Sequence, residues 1–600
     1  MSKKTYCNPV GFSDGKRRTN PDPFVISWCG TYYCYATDEF GVRVSRSEDL
    51  TEWEYLGYAI SEEGFHHYWA PSVAYLNGTF YMYYSNIPAE ESDCHQQHLK
   101  LAVSKKPEGP FVYEKTFFDQ FSIDSHPFLW NGKLYMFYSV NDWIGTEEKV
   151  TGTCIVMDEM KSPYEFAGYP RPVILPSIPQ EIYAADRFGD GRDWYTIEGA
   201  CTVVRDRKCW LLYSANAYEN VDYFVGTTVA KCRENAEEMK WKKYPDSRTW
   251  MPLLKKNDLV EGTGHNTVVK APNMVDDWIV YHGRSAPEGL KPGVEQREMR
   301  IDPLFYSDKK MVCMGPSAEE RPAPGAPRFR QKNLILKEKT MLCKGGEFYR
   351  MEVWTSGKKE HIGVRYGIWL DYLDERNYVE LQVHTGQRAL RVIRCGEGIC
   401  TVIKEMALPE RYDYTVPHLL RVQRNAEEYQ VQLDEEKPFV FETGRTGSGE
   451  VGVVPYFSEI CVHSFALTVY GELSKKSMRF MREFYRVSDC QAGKDGLCSQ
   501  DGKLCLEQKD TDFFAGDYME EFQLKMTASD NDYIVKRGER TLLDVQNQEQ
   551  NFSVYHGVFG NTEWFLTDGK NLLKMEKTGE MPLSIRSSGI AVLSYRCTKI

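Results

Sequence analysis

No run of eighteen apolar residues occurs anywhere in the 600-residue chain, so no membrane-spanning helix is expected. The opening MSKKTYCNPVGF has lysines but no apolar stretch behind them, and no secretory signal is expected there. Positive charge is in the minority, with 74 Lys and Arg against 86 Asp and Glu and a net charge of −12. A nucleic-acid partner is therefore not expected. Cys-x-x-Cys is missing too, although there are seventeen cysteines. Their number is odd, and most sit in apolar runs, as Cys34, Cys201, Cys209 and Cys461 do. That pattern reads as buried free thiols rather than a disulfide framework. Free thiols without a signal point to a reducing, cytoplasmic location.

Aromatic residues are abundant: 13 Trp, 38 Tyr and 29 Phe. Stacking the aromatic segments exposes a repeat. GTYYCYAT, GTFYMYYS, GKLYMFYS, RKCWLLYS and VDDWIVYHG each run from a turn into an apolar strand that ends in a small or polar residue. Their aligned rings are Tyr33, Tyr81, Tyr135, Trp210 and Trp278, spaced 48, 54, 75 and 68 residues apart. Five irregular repeats of short strands match the blades of a β-propeller. The spacing predicts a five-bladed propeller over residues 1–325; a plain sandwich would give no reason for the repeat.

A second register precedes the first. Eleven to thirteen residues before each aligned ring stand Asp22, Trp69, Asp124, Glu198 and His265. Asp22 lies between Pro21 and Pro23, which restrict the backbone on both sides. The others neighbour Pro or Gly, or follow an apolar strand residue. Because the innermost strand of every blade lines a propeller's channel, these positions converge on the axis. Three carboxylates, a tryptophan and a histidine would then share one pocket. Such a set suits glycosidic bond cleavage, which needs an acid for the leaving oxygen and a carboxylate on the opposite face. A third carboxylate would raise the pKa of the acid.

The motifs NPDPF (20–24), WAPSV (69–73), SID (122–124), IEGA (197–200), GTGHN (262–266) and YHGR (281–284) resemble glycoside hydrolase family 43. The likeness extends through EQREMRIDPLFYSD (295–308). It implies an inverting, exo-acting hydrolase that releases arabinofuranosyl or xylosyl units from oligosaccharides. It further implies Asp22 as general base, Glu198 as general acid and Asp124 as the group tuning Glu198. Trp69, His265 and Arg297 would bind sugar, with Arg297 preferred to Arg300 for the family's arginine slot. No cofactor is required, but the axial His265 could hold a structural calcium through water. Ser125 and Ala200 stand where the family often has proline. A β-galactofuranosidase, another five-bladed glycosidase and a non-catalytic sugar-binding protein stay open as alternatives.

After a Pro-rich, charged segment at 317–336, expected as a linker, strand follows strand with period-2 alternation. Residues 326–471 resemble a concanavalin-like jelly-roll sandwich. Residues 472–600 read as a second, looser one, and either could mediate a homo-oligomer. The fold class is therefore all-β throughout.

Overall fold

The structure is a computed structural model. It describes residues 5–599 apart from 145–149, 206, 308–309, 359–364, 457–458, 473–477, 489, 494–495, 499–501, 512, 515, 560, 568–570 and 578–580. Five sheets follow one another in its first half, and in each the first three strands run outward from an inner strand as antiparallel neighbours in chain order. The inner strands are Phe24–Trp28, Phe65–Leu76, Ser122–Trp130, Ile197–Arg205 and Val260–Lys270. The strand after each inner one carries the aligned ring. This is the five-bladed propeller that the repeat predicts.

The reason for the repeat lies between the blades. Five separate apolar clusters fill the five seams, and each aligned ring belongs to one of them. Tyr33 packs in the seam between the first and second blades, and half-buried Tyr81 in the next. Tyr135 fills the third seam and Trp210 the fourth. Trp278 closes the circle against Val25, Tyr32 and Cys34 of the first blade. Burying such a side chain contributes roughly 1.5–3 kcal/mol, so the aromatic register is a packing requirement renewed at every seam.

Ring closure is polar as well. Before the first blade, Asn8 donates to Ile301 O at 2.7 Å and accepts from Ile301 N–H at 2.9 Å. Val10 N–H reaches Met299 O and Asn20 N–H reaches Arg297 O. Both acceptors lie at the third strand of the fifth blade or next to it, so the start of the chain is tied to the end of the propeller.

In the second half, a sheet containing Phe348–Gly357, His418–Asn425 and Ile460–Glu472 shares one core with a six-stranded sheet containing Arg365–Asp374 and Asn377–His384. The expected linker ends earlier than the sequence suggests. Phe329–Leu336 is a strand pairing with Ile460–Glu472, because its apolar residues alternate onto that core. A second sandwich follows, with its own core around Phe522, Tyr533 and Tyr595. The two sandwiches share a sheet: Tyr470, Gly471 and Glu472 pair with Thr598, Cys597 and Arg596 of the last strand. Both lean on the propeller, the first through Trp28 and Trp354 (rings 6.4 Å apart) and the second through Arg205 and Glu521 at 3.4 Å.

Candidate active site

In or just before each inner strand a residue at an equivalent place near the axis takes the left-handed conformation: Asp22 (φ 51°), Ala70 (40°), Asp124 (56°), Gly199 (64°) and His265 (39°). Four of them stand eleven residues before the aligned ring, and His265 stands thirteen before it. In the last four blades the pairing register shifts across the same point, so each kink is a β-bulge. A non-glycine residue held there costs about 1–3 kcal/mol. The repeated kink turns successive side chains of a strand toward the axis. It also refines the register read from sequence: Trp69 and Glu198 immediately precede the kinked residue, whereas Asp22, Asp124 and His265 are the kinked residues themselves.

The kink's N–H is met from the neighbouring blade. Ala70 N–H donates to Thr37 Oγ1 at 2.8 Å, His265 N–H to Ser214 Oγ at 2.7 Å, and Asp22 N–H to His282 Nδ1 at 3.1 Å. Thr37, Ser214 and His282 all lie four residues after their aligned ring. The equivalent residues in the second and third blades are the buried Ser85 and Ser139. In the fourth blade, Gly199 N–H instead donates to Asp124 Oδ2 at 3.2 Å. A second polar register thus supports the first.

Around Asp22 the structure brings together most of the residues singled out in the sequence. Its Oδ2 accepts from Thr37 Oγ1 at 2.6 Å, and its Oδ1 accepts from Arg297 Nη1 at 3.2 Å. Nδ1 of His265 lies 3.4 Å from Oδ1 and 3.9 Å from Asp124 Oδ2. Arg297 is held in turn by Glu295, through Nε at 2.9 Å and Nη2 at 2.6 Å, and lies 4.7 Å over the Tyr218 ring. Arg300 turns away, donating to Gly283 O and Ser317 O. Glu198 accepts from Tyr223 Oη at 2.7 Å, and the Tyr223 ring stacks on His282 with an interplanar angle of 4°. Half-buried Trp69 precedes Ala70, whose N–H the Thr37 hydroxyl holds. Glycine is required at 264, where an added Cβ would stand 2.0 Å from the Tyr223 ring.

Thr37, Tyr223, His282 and Glu295 escaped the sequence reading. Thr37 and His282 had a signal, the polar residue ending each aligned strand. Tyr223 had none, since it follows a turn in the fourth blade with no counterpart at its register.

The carboxylates differ sharply in proton affinity. Burial would raise the pKa of Asp22, but the Arg297 guanidinium and then His265 and His282 outweigh it, holding Asp22 well below the usual range. Glu198 is pushed up to about 7, by burial above all and then by the charges of Asp22 and Glu219, against the Tyr223 hydrogen bond and Arg297. Asp124 is also raised, by burial and then by Glu198 and Asp22. Burial lowers His282 to about 4, so it is neutral and free to accept at Nδ1. The pocket therefore pairs Asp22, held ionised, with two carboxyls, Glu198 and Asp124, whose proton affinity is raised, a separation that acid–base catalysis needs. A cavity of about 1440 Å³ lies elsewhere, between the propeller and the first sandwich, and none of the three acids lines it.

The family model for glycosyl hydrolases family 43 matches residues 8–311. A curated relative named extracellular exo-α-(1→5)-L-arabinofuranosidase, from Streptomyces chartreusis, is 27% identical over 237 residues, 37% of this chain and 64% of its own length. Alpha-L-arabinofuranosidase 43 from Humicola insolens is 24% identical over 265 residues, 43% of this chain and 51% of its own. The chain thus spans less than two thirds of either relative. A thermostable family-43 glycoside hydrolase of known structure is 30% identical, with 54% of this chain and 99% of that one covered and a TM-score of 0.45. The name of the Streptomyces relative places that protein outside the cell and lends no support to the cytoplasmic expectation. No helix among the described residues is long and apolar enough to cross a membrane. With a match that runs from the ring-closing Asn8 through the fifth blade, this chain belongs to glycosyl hydrolases family 43.

Proposed function

We propose that the chain is an exo-acting, inverting glycoside hydrolase releasing α-L-arabinofuranosyl or β-xylosyl units from plant-cell-wall-derived oligosaccharides. The observation that carries this reading is the convergence of Asp22, Asp124 and the strand of Glu198 on one axial site, with Arg297 and Thr37 on the Asp22 oxygens, His265 between Asp22 and Asp124, and Gly199 N–H on Asp124. These surroundings lower the proton affinity of Asp22 and raise that of Glu198. Asp22 acts as general base. Thr37 and Arg297 fix its two oxygens, leaving it to take a proton from the water that attacks the anomeric carbon. Glu198 donates its proton to the departing oxygen as the bond breaks. Asp124, whose Oδ2 accepts from Gly199 N–H and lies 3.9 Å from His265 Nδ1, orients the acid. The burial that raises Glu198 is joined by the charges of Asp22 and Glu219. Trp69 offers an aromatic face to the sugar, and Arg297 and His265 offer donors to its hydroxyls. The names of the two curated relatives favour the arabinofuranoside.

A calcium ion near the axis would seek oxygen ligands. His265 offers only nitrogen, but the amide of buried Asn266 beside it has neither Oδ1 nor Nδ2 hydrogen-bonded. These groups suit a hydrated ion held through water, which would fix His265 and take no part in bond cleavage. The seventeen unpaired thiols favour a reducing compartment.

NMR of the first product formed from a pentoside tests the mechanism. Inversion predicts the anomer opposite to the substrate's. Retained configuration, or a sugar ester trapped on Asp22, would make Asp22 a nucleophile. No turnover of any pentoside or hexoside would favour a sugar-binding protein.

A further inference from the structure

Beside Trp69, and outside the acid cluster, two consecutive histidines turn their rings to the same side of a strand. In a regular strand His66 and His67 would face opposite ways. Here His67 has φ 52°, and the register slips between His66 and Trp69, so the rings lie 4.1 Å apart at 31°. Both present Nδ1 to one carboxylate. His67 Nδ1 lies 2.7 Å from Glu39 Oε2, and His66 Nδ1 lies 3.3 Å from Glu39 Oε1. The three ligand atoms all fall within 4.8 Å of one another.

The scaffold fixes this arrangement before any ligand arrives. His67 N–H donates to Glu39 O at 2.8 Å, and Tyr68 and Asp38 exchange both of their backbone hydrogen bonds. The buried Gln97 holds His67 O from behind at 3.0 Å. His66 carries the decisive contact, because its Nε2 lies 2.9 Å from Glu91 O. A carbonyl oxygen only accepts, so Nε2 bears the proton. In the neutral ring Nδ1 is then a bare lone pair aimed at a carboxylate oxygen. Two lone pairs facing each other need a cation between them, which a proton on Nδ1 or a metal ion can supply. A histidine whose far N–H is anchored on a backbone carbonyl is also the usual orientation of a metal ligand.

We propose that Glu39, His66 and His67 form a binding site for a divalent transition metal of the zinc class, open to solvent at its fourth position. Two imidazole nitrogens and one carboxylate oxygen form a donor set that such ions take with an exchangeable fourth ligand. The three side chains are 42%, 20% and 33% exposed, so an ion can reach them. A bound ion would take the place of a proton between His66 Nδ1 and Glu39, coordinating both. It would also pin the bulge from which Trp69 projects.

The test uses the full-length protein, stripped with a chelator and titrated with Co2+ alone. Cobalt reports its ligands by absorption, which separates this site from the free thiols. The expected result is one equivalent bound with d–d bands and no thiolate charge-transfer band. That equivalent should be lost in both Glu39→Gln and His66→Gln, while metal-free melting temperatures stay within a few degrees of wild type. Unchanged stoichiometry and affinity in both variants, no binding by the wild type, or a thiolate band on the first equivalent would each overturn the proposal. Should one variant fold poorly, the other still decides the matter.

Discussion

Removing the hydroxyl of Tyr223 should move the alkaline limb of the pH–activity profile upward. Tyr223 Oη donates to Glu198 Oε1 at 2.7 Å, and burial keeps the phenol itself far above its ordinary pKa. It therefore remains a donor at any pH at which the protein works. A donor stabilises the ionised carboxylate and lowers its pKa. A hydrogen bond to a charged group is worth about 1.5–3 kcal/mol, and one pH unit corresponds to about 1.4 kcal/mol. Tyr223→Phe should thus raise Glu198 from about 7 by roughly one to two units. The phenylalanine keeps the ring that stacks on His282, so the change is confined to the hydrogen bond. The assay is kcat/KM on a natural-linkage oligosaccharide as a function of pH, which reports the free enzyme's groups. An alkaline limb that stays put or moves down would refute the assignment of that limb to Glu198.

Glu198→Gln should abolish cleavage of natural linkages while sparing nitrophenyl glycosides by orders of magnitude, since a nitrophenolate leaves without a proton; equal losses would remove Glu198 from the acid role. The folded-state pKa of Glu198 is raised, so its contribution to stability is complete below the unfolded value of about 4.3 and is lost as pH rises through about 7. The same Gln variant should consequently melt higher than wild type above neutrality, relative to the two proteins' difference near pH 4. Gly264→Ala puts a Cβ 2.0 Å from the Tyr223 ring; overpacking of this kind costs about 1–3 kcal/mol, and the displaced ring should shift the alkaline limb upward as Tyr223→Phe does. Trp278→Ala empties the seam between the fifth and first blades and should cost about 3–5 kcal/mol, read as a lower midpoint for the propeller's unfolding transition. An unchanged midpoint would mean that the seam is not what holds the ring closed.

The five blades were legible in the sequence because one physical demand recurs. Every blade needs a large ring at the same place to fill the seam to its neighbour, so Tyr33, Tyr81, Tyr135, Trp210 and Trp278 stand out as a repeat. The three carboxylates were legible for a related reason: strand register within a blade is local, and its offset from the ring is nearly constant. Where locality ended, so did the reading. The supposed linker turned out to contain Phe329–Leu336, a strand whose partner lies some 130 residues later.

Tertiary structure alone decided which side chains complete the pocket and which proton sits where. Asp22 meets His282 across 260 residues and Arg297 across 275. Contacts of that span arise only when the fifth blade closes against the first, and no local pattern encodes them. Nor could the sequence order the proton affinities. Asp22 and Glu198 are both carboxylates at nearly the same register, in the first and fourth repeats of one design. A guanidinium beside one and burial around the other shift them in opposite directions, Asp22 down and Glu198 up to about 7. Burial and the distance to a charge belong to the assembled ring, which is why the acid and base are written into the chain as residues but acquire their separate roles only in the fold.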